Sequence, residues 1–237
     1  MSPPRPSSGA PDSPSRGPRS TPGAGLDAAE AAVGTALRAE PGLVVLTGGQ
    51  TGVDTLAARA ALTAGLAVHL AFPRGLRQED GPVTADRLAE LRGAALHELQ
   101  AAGFAARTWT CARLADAVIL IDPAGGDGCA ETVRAAGQLG RPLLDLTAFS
   151  GGPPRGAERR PGVARGPSWP RAAVRSPVTS FLSQNSPRVM LLAGCRGSLL
   201  GASGGTAAVA AVLEDVMSAL ADVARGRPGR PPAGPRA

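Results

Sequence analysis

Three times along this chain a short apolar run ends in a glycine-rich turn and passes into a stretch that suits a helix or helix-like segment. Leu43-Val44-Val45-Leu46 leads to Gly48-Gly49-Gln50-Thr51-Gly52. Asp116–Ile121 leads to Gly125-Gly126-Asp127-Gly128, and Val189–Ala193 leads to Gly194-Cys195-Arg196-Gly197-Ser198. A continuous apolar run, as opposed to an alternating one, is what a strand buried on both faces of a parallel sheet requires. Strand, turn and helix in repetition predict an α/β fold: a Rossmann-like parallel sheet flanked by helices on both faces, in a single domain.

The remaining elements are read in the same way. Val53–Leu66 suits an Ala-rich helix, and Ala67–Ala71 a short strand closed by Phe72-Pro73. Pro82 and Thr84 introduce a stretch in which Leu88, Leu91, Ala95, Leu99 and Ala102 recur at helical spacing, with Gly103 as its stop. Ala130–Leu139 predicts a helix, Pro142–Leu146 a strand, and the chain from Thr206 a last helix with Val209, Val212, Leu213, Val216 and Leu220 on one face. A small helix over Leu26–Arg38 is expected at the edge.

Proline marks the boundaries: of 23 prolines, 7 fall in Met1–Gly25, 6 in Ser150–Pro177 and 4 in Ala221–Ala237. The domain is therefore expected over 26–220, interrupted by a Pro/Arg-rich insertion at about 150–177. Residues 1–25 and 221–237 read as disordered tails. The formal charge of +6 comes from Arg alone among cations, since the chain has no Lys. Met1–Gly25, Ser150–Arg188 and Ala221–Ala237 carry +2, +6 and +3, which leaves −5 for the rest. Basicity concentrated in solvated segments argues against a folded nucleic-acid face, and six aromatic residues supply few stacking platforms. Cys111, Cys129 and Cys195 have no metal-ligand spacing, and an odd, sparse cysteine count suits a reducing cytoplasm. No apolar run approaches the roughly 20 residues of a membrane span, and the start lacks an apolar signal core. A cytoplasmic protein is expected.

Glycine at a strand end lets a backbone approach an oxyanion, and the N–H groups at the following helix start donate to it. Gly48, Gly49, Gly52, Gly125, Gly126 and Gly194 are the candidates for that role. Gln50, Thr51, Asp54 and Ser198 are the polar side chains beside them. The first turn lacks both the Walker A and the G-x-G-x-x-G spacing, which disfavours ATP hydrolysis and hydride transfer. Arg74 and Arg77, flanking Gly75, are expected to clamp an anion in a fork, or else to pair with Glu79 and Asp80; Arg196 is a further cation. His69 reads as a satisfied core or edge histidine, and Cys129 as a small buried residue. No catalytic residue and no metal ligand is assigned.

Two blocks, Leu46–Asp54 and Phe72–Gly81, resemble the Ser-Gly-Gly-Gln-Thr-Gly-Ala-Asp and Cys-Pro-Lys-Gly-Arg-x-Ala-Glu-Asp-Gly segments of the molybdenum carrier family. Arg107-Thr108, Ala115–Leu120, Gly125-Gly126, Gly140-Arg141-Pro142 and Val189–Ser198 are similar to its later blocks. The resemblance spans roughly Gly42 to Leu220, with Cys195 and Gly197 departing from the family's Pro and acidic residue. It implies a Rossmann-like fold, a homo-oligomer, and a non-catalytic carrier for a phosphate-bearing small molecule: molybdenum cofactor as cargo, or a nucleotide-like ligand. Related phosphoribohydrolases that cleave nucleoside 5′-monophosphates carry Pro-Gly-Gly-x-Gly-Thr-x-x-Glu. Here the corresponding stretch is Pro123–Thr132, with Cys129 in place of Thr and Glu131 one residue early, a shift of about 100° around a helix. Single-strand DNA binding, by analogy with other relatives, is a third hypothesis, and the scarcity of aromatic stacking platforms disfavours it.

Overall fold

A computed structural model describes residues 27–150, 172–202 and 205–226. The 1–25 tail, the insertion up to residue 171 and the chain beyond 226 lie outside the described residues. The elements run α1 (Ala28–Ala39), β1 (Val44–Thr47), α2 (Val53–Thr63), β2 (Ala67–Phe72), β3 (Arg77–Gln78), β4 (Gly81–Pro82), α3 (Ala85–Glu90) and β5 (Ala95–Glu98). They continue with α4 (Phe104–Leu114), β6 (Ala117–Ile121), α5 (Asp127–Gln138), β7 (Leu143–Asp145), α6 (Ala172–Asn185), β8 (Val189–Gly194), α7 (Gly197–Ala202) and α8 (Thr206–Gly226).

Six strands form one sheet in the order β5-β2-β1-β8-β6-β7, and every neighbouring pair is parallel. The strand residues alternate between two cores, because successive side chains of a strand point to opposite faces. Val45, Ala117, Ile119, Met190 and Leu192 pack with α2, α6 and α8. Val44, Leu46, Val118, Val189 and Leu191 pack with α1, α4 and α5. Both faces are covered, as the continuous apolar runs require.

Two expectations about elements are corrected, and two boundaries read from composition fall inside helices. The stretch after Thr84 is not one helix: α3 ends at Glu90, and Gly93 takes a positive φ of 103°. Ala95–Glu98 then adds to the sheet as an edge strand beside β2, with Ala71 opposite His97. The helical spacing of Leu88, Leu91 and Ala95 was genuine, but a hydrogen-bonding partner at the sheet edge outweighs a weak local propensity. Gly103, read as a stop, is instead the N-cap of α4, a helix the periodicity of Arg107, Cys111 and Leu114 would have shown. The insertion also ends earlier than Pro177, which lies inside α6. A proline inside a helix costs about 3 kcal/mol, yet Val174, Val178 and Leu182 form a buried stripe that α6 packs against α8. Burying three such side chains contributes about 5–9 kcal/mol, so the helix forms through the proline. The domain likewise continues past 220, since α8 runs to Gly226 and buries Ala221.

Candidate functional site

Helices α2, α7 and α8, which follow β1 and β8, lie on one face of the sheet, whereas α5, which follows β6, lies on the other. The neighbours β8 and β6 therefore send their chains in opposite directions. Such a switch point opens a crevice at the carboxyl ends of the strands. A cleft of about 240 Å³ sits there, lined by Gln50, Asp54, Phe104, Ala105, Arg107, Thr108, Asp127, Gly128, Glu131, Thr132, Ala193, Gly194 and Arg196.

Its floor is a buried ion pair. Arg107 on α4 and Asp54 on α2 are both almost fully buried, with Arg107 Nη1 3.3 Å from Asp54 Oδ2. Burial pushes the Asp54 carboxyl up, and the Arg107 charge and the Gln50 N–H bond oppose that shift. Arg107 Nε has no hydrogen-bond partner among the described residues. Nε of Arg113 and Arg141 are also unpartnered, but only Arg107 lines the cleft. A Cβ at Gly48 would fall on the Arg107 guanidinium, so the first glycine turn makes room for this cation.

The predicted site residues divide into two groups. Gln50, Asp54, Gly194 and Arg196 line the cleft. The others build its walls or lie elsewhere. Gly49, at φ 67°, lies over the Phe72 ring and its carbonyl accepts from Gln78 Nε2 at 2.7 Å. Gly52, at φ 81°, packs against the Cys195–Gly197 backbone. Thr51 turns to Glu79 and Gly197, and Ser198 also bonds Glu79. The Gly125 and Gly126 N–H groups are taken by Asp122 Oδ1 at 2.9 and 3.3 Å, so the helix start at Asp127-Gly128 faces the cleft in their place. Arg74, Gly75 and Arg77 do not line the cleft. Gly75 N donates to Glu98, and both arginines are exposed on the hairpin side. Neither forms the expected pairs: Asp80 takes Arg87 in a bidentate bond at 2.9 and 2.8 Å, and Glu79 takes Thr51 and Ser198.

Sequence reasoning missed Arg107 and Thr108 as cleft residues, together with the α5 face. The one-residue shift of Glu131 does not remove it from the cleft, because Glu131 and Thr132 both line it. The Glu131 carboxylate accepts from the Trp109 indole N–H and pairs with Arg134. His69 is satisfied as expected, with Nδ1 2.8 Å from His97 Nε2 and Nε2 3.3 Å from Glu40. All three cysteines are buried thiols outside any disulfide; burial pushes Cys111 up to about 11 and Cys195 up to about 12. No group of three or more potential metal ligands occurs among the described residues. Nor is any described helix long and apolar enough to cross a membrane.

The model of the circularly permutated YpsA SLOG family matches residues 45–217. The chain belongs to this family. The sheet of this SLOG domain agrees with that description. Read with β8 placed first, the strands wind outward in sequence, β8-β1-β2-β5 one way and β8-β6-β7 the other. The fold is similar to the crystal structure of the "Putative molybdenum carrier protein" from Syntrophus aciditrophicus SB, at a TM-score of 0.53 and 21% identity. That likeness covers 75% of this chain and 96% of the other. It agrees with the Rossmann-like fold that the resemblance implies. No curated protein matches the chain.

Proposed function

We propose that the cleft binds, without cleaving, a small molecule that presents a phosphate or comparable oxyanion: molybdenum cofactor as cargo, or a nucleotide-like ligand. The observation that carries this reading is the Arg107 guanidinium, buried at the switch point with its Nε unpartnered among the described residues. A buried donor left unmade costs about 1–3 kcal/mol, which an incoming oxyanion would recover. Arg196 adds a second cation, and the first turn of α5 adds backbone donors and the positive end of a helix dipole. The volume sets the size of the bound part. At about 240 Å³ the cleft lies below the roughly 300–1,000 Å³ of pockets that enclose a drug-sized ligand. It suits the phosphate end of a ligand, with the rest reaching outward.

Calorimetric titration with molybdate, inorganic phosphate and nucleoside 5′-monophosphates tests the proposal, alongside molybdenum and pterin assays on freshly purified protein. Binding of at least one, weakened in Arg107→Gln, is the expected result. No binding by any of them would sink it. A homo-oligomer, implied by the family resemblance, is part of the same proposal and is checked by light scattering.

One observation favours a second reading, phosphoribohydrolase activity. Glu131 shares the cleft with Arg107, where a carboxylate beside a phosphate-anchored sugar has catalytic use. Its bonds to Trp109 and Arg134 hold it ready as a structural brace instead. Release of free base from a panel of nucleoside 5′-monophosphates, lost in Glu131→Gln, would reverse the order of the two readings.

A further inference from the structure

The β3–β4 hairpin contributes no residue to the cleft, yet one of its side chains holds the turn that does. Glu79, between β3 and β4, accepts from Ser198 N at 3.0 Å, from Ser198 Oγ at 2.7 Å, and from the Thr51 hydroxyl. Its own N–H donates to Gln50 Oε1 at 3.0 Å. Thr51 Oγ1 in turn accepts from Gly197 N at 3.1 Å. One carboxylate thereby ties the first glycine turn to the β8–α7 turn, although Thr51 and Gly197 stand 146 residues apart in sequence. Partial burial works against its charge. The Thr51 and Ser198 bonds and the nearby Arg196 outweigh that and hold Glu79 below the ordinary carboxylate range.

Arg196 belongs to that same turn, two residues before Ser198, and is exposed while lining the cleft. Its long side chain starts from a backbone that Glu79 anchors from the hairpin and Thr51 from the first glycine turn. We propose that Glu79 is a positioning residue for anion binding, fixing the β8–α7 turn so that Arg196 is presented to the cleft. The proposal rests on the oxyanion reading of that cleft. The physical gain is preorganisation: a cation already held in place loses less freedom when the anion arrives.

A simple charge effect predicts the opposite sign, which makes the test decisive. Removing a negative charge near an anion site strengthens anion binding if Glu79 acts only through its field. Loss of positioning weakens it. The experiment is calorimetric titration of the full chain with inorganic phosphate and with adenosine 5′-monophosphate. Arg196→Ala is expected to bind about tenfold more weakly, the scale of one lost charge-assisted hydrogen bond. Glu79→Gln is expected to lose about threefold or more, and the double variant no more than Arg196→Ala alone. Ser198→Ala removes one donor only and shifts affinity in the same direction by less, which keeps the test open if Glu79→Gln melts early. Unchanged or tighter binding by both Glu79→Gln and Ser198→Ala, or losses that multiply in the double variant, would overturn the role of Glu79. A wild type that binds neither probe overturns the cleft reading itself.

Discussion

Arg107 reaches the cleft because position 48 carries no side chain, and it is tolerated there because Asp54 faces it. Such a pair is fragile when only half of it is removed. Arg107→Ala is expected to destabilise the protein by about 3–5 kcal/mol, the cost of leaving one buried charge alone. Urea unfolding measures this, and combining Arg107→Gln with Asp54→Asn should recover most of it. The pH dependence has a definite sign. Burial already pushes the Asp54 carboxyl up, and losing Arg107 removes the largest contribution that opposes that shift, leaving the backbone N–H bonds. The folded variant then holds its proton more tightly than the unfolded chain, so its stability is greatest at low pH and falls as pH rises through the folded value. The deficit against wild type therefore widens as pH rises. In the sequence Arg107 was visible only as one letter of a resemblance. Nothing local says that this face of α4 meets the end of β8.

At the scale of elements, the glycine turns are joints more than ligand cradles. A Cβ at Gly194 would press on the Ile121 carbonyl and on Val53, at a β8–β6–α2 junction with no slack. Gly194→Ala should accordingly lower the thermal midpoint, whereas Gly128→Ala, which meets nothing within 4 Å, should leave it nearly unchanged. The edge strand β5 has its own signature. Burial and the neighbouring His69 depress the His97 imidazole from the ordinary value of 6.5. A histidine that resists protonation when folded contributes stability at high pH, lost as pH falls from 6.5 through the folded value. Melting curves from pH 7.5 to 5 should show that decline, and His97→Gln should flatten it. The buried strands β1, β6 and β8 were legible because continuous apolar runs have few alternatives. Strand β5 was not, because its alternation of half-buried and exposed residues is shallow and its neighbours mimic a helix period.

For the molecule as a whole, the boundaries matter as much as the centre. Composition ended the domain at 220, but α8 buries Ala221, and Asp222 pairs with Arg175 on α6 and with Arg225. A chain ending at Gly226 should keep the full-length melting temperature, and one ending at Leu220 should fall measurably below it. The sheet order is the other global property. Strand identity follows from local apolar runs, since burying a continuous run on both faces leaves a parallel sheet as the outlet for its backbone groups. The α/β class, three of its strand–glycine–helix units and the family resemblance were thus present in the amino-acid sequence alone. The insertion of β8 between β1 and β6 was not, because strand order is decided by which helices cover which face. That order creates the switch point, and the switch point selects Gln50, Asp54, Gly194 and Arg196 from the predicted residues while adding Arg107. Glycine turns can be read one at a time, but a cleft exists only between elements, so its membership waits on tertiary packing.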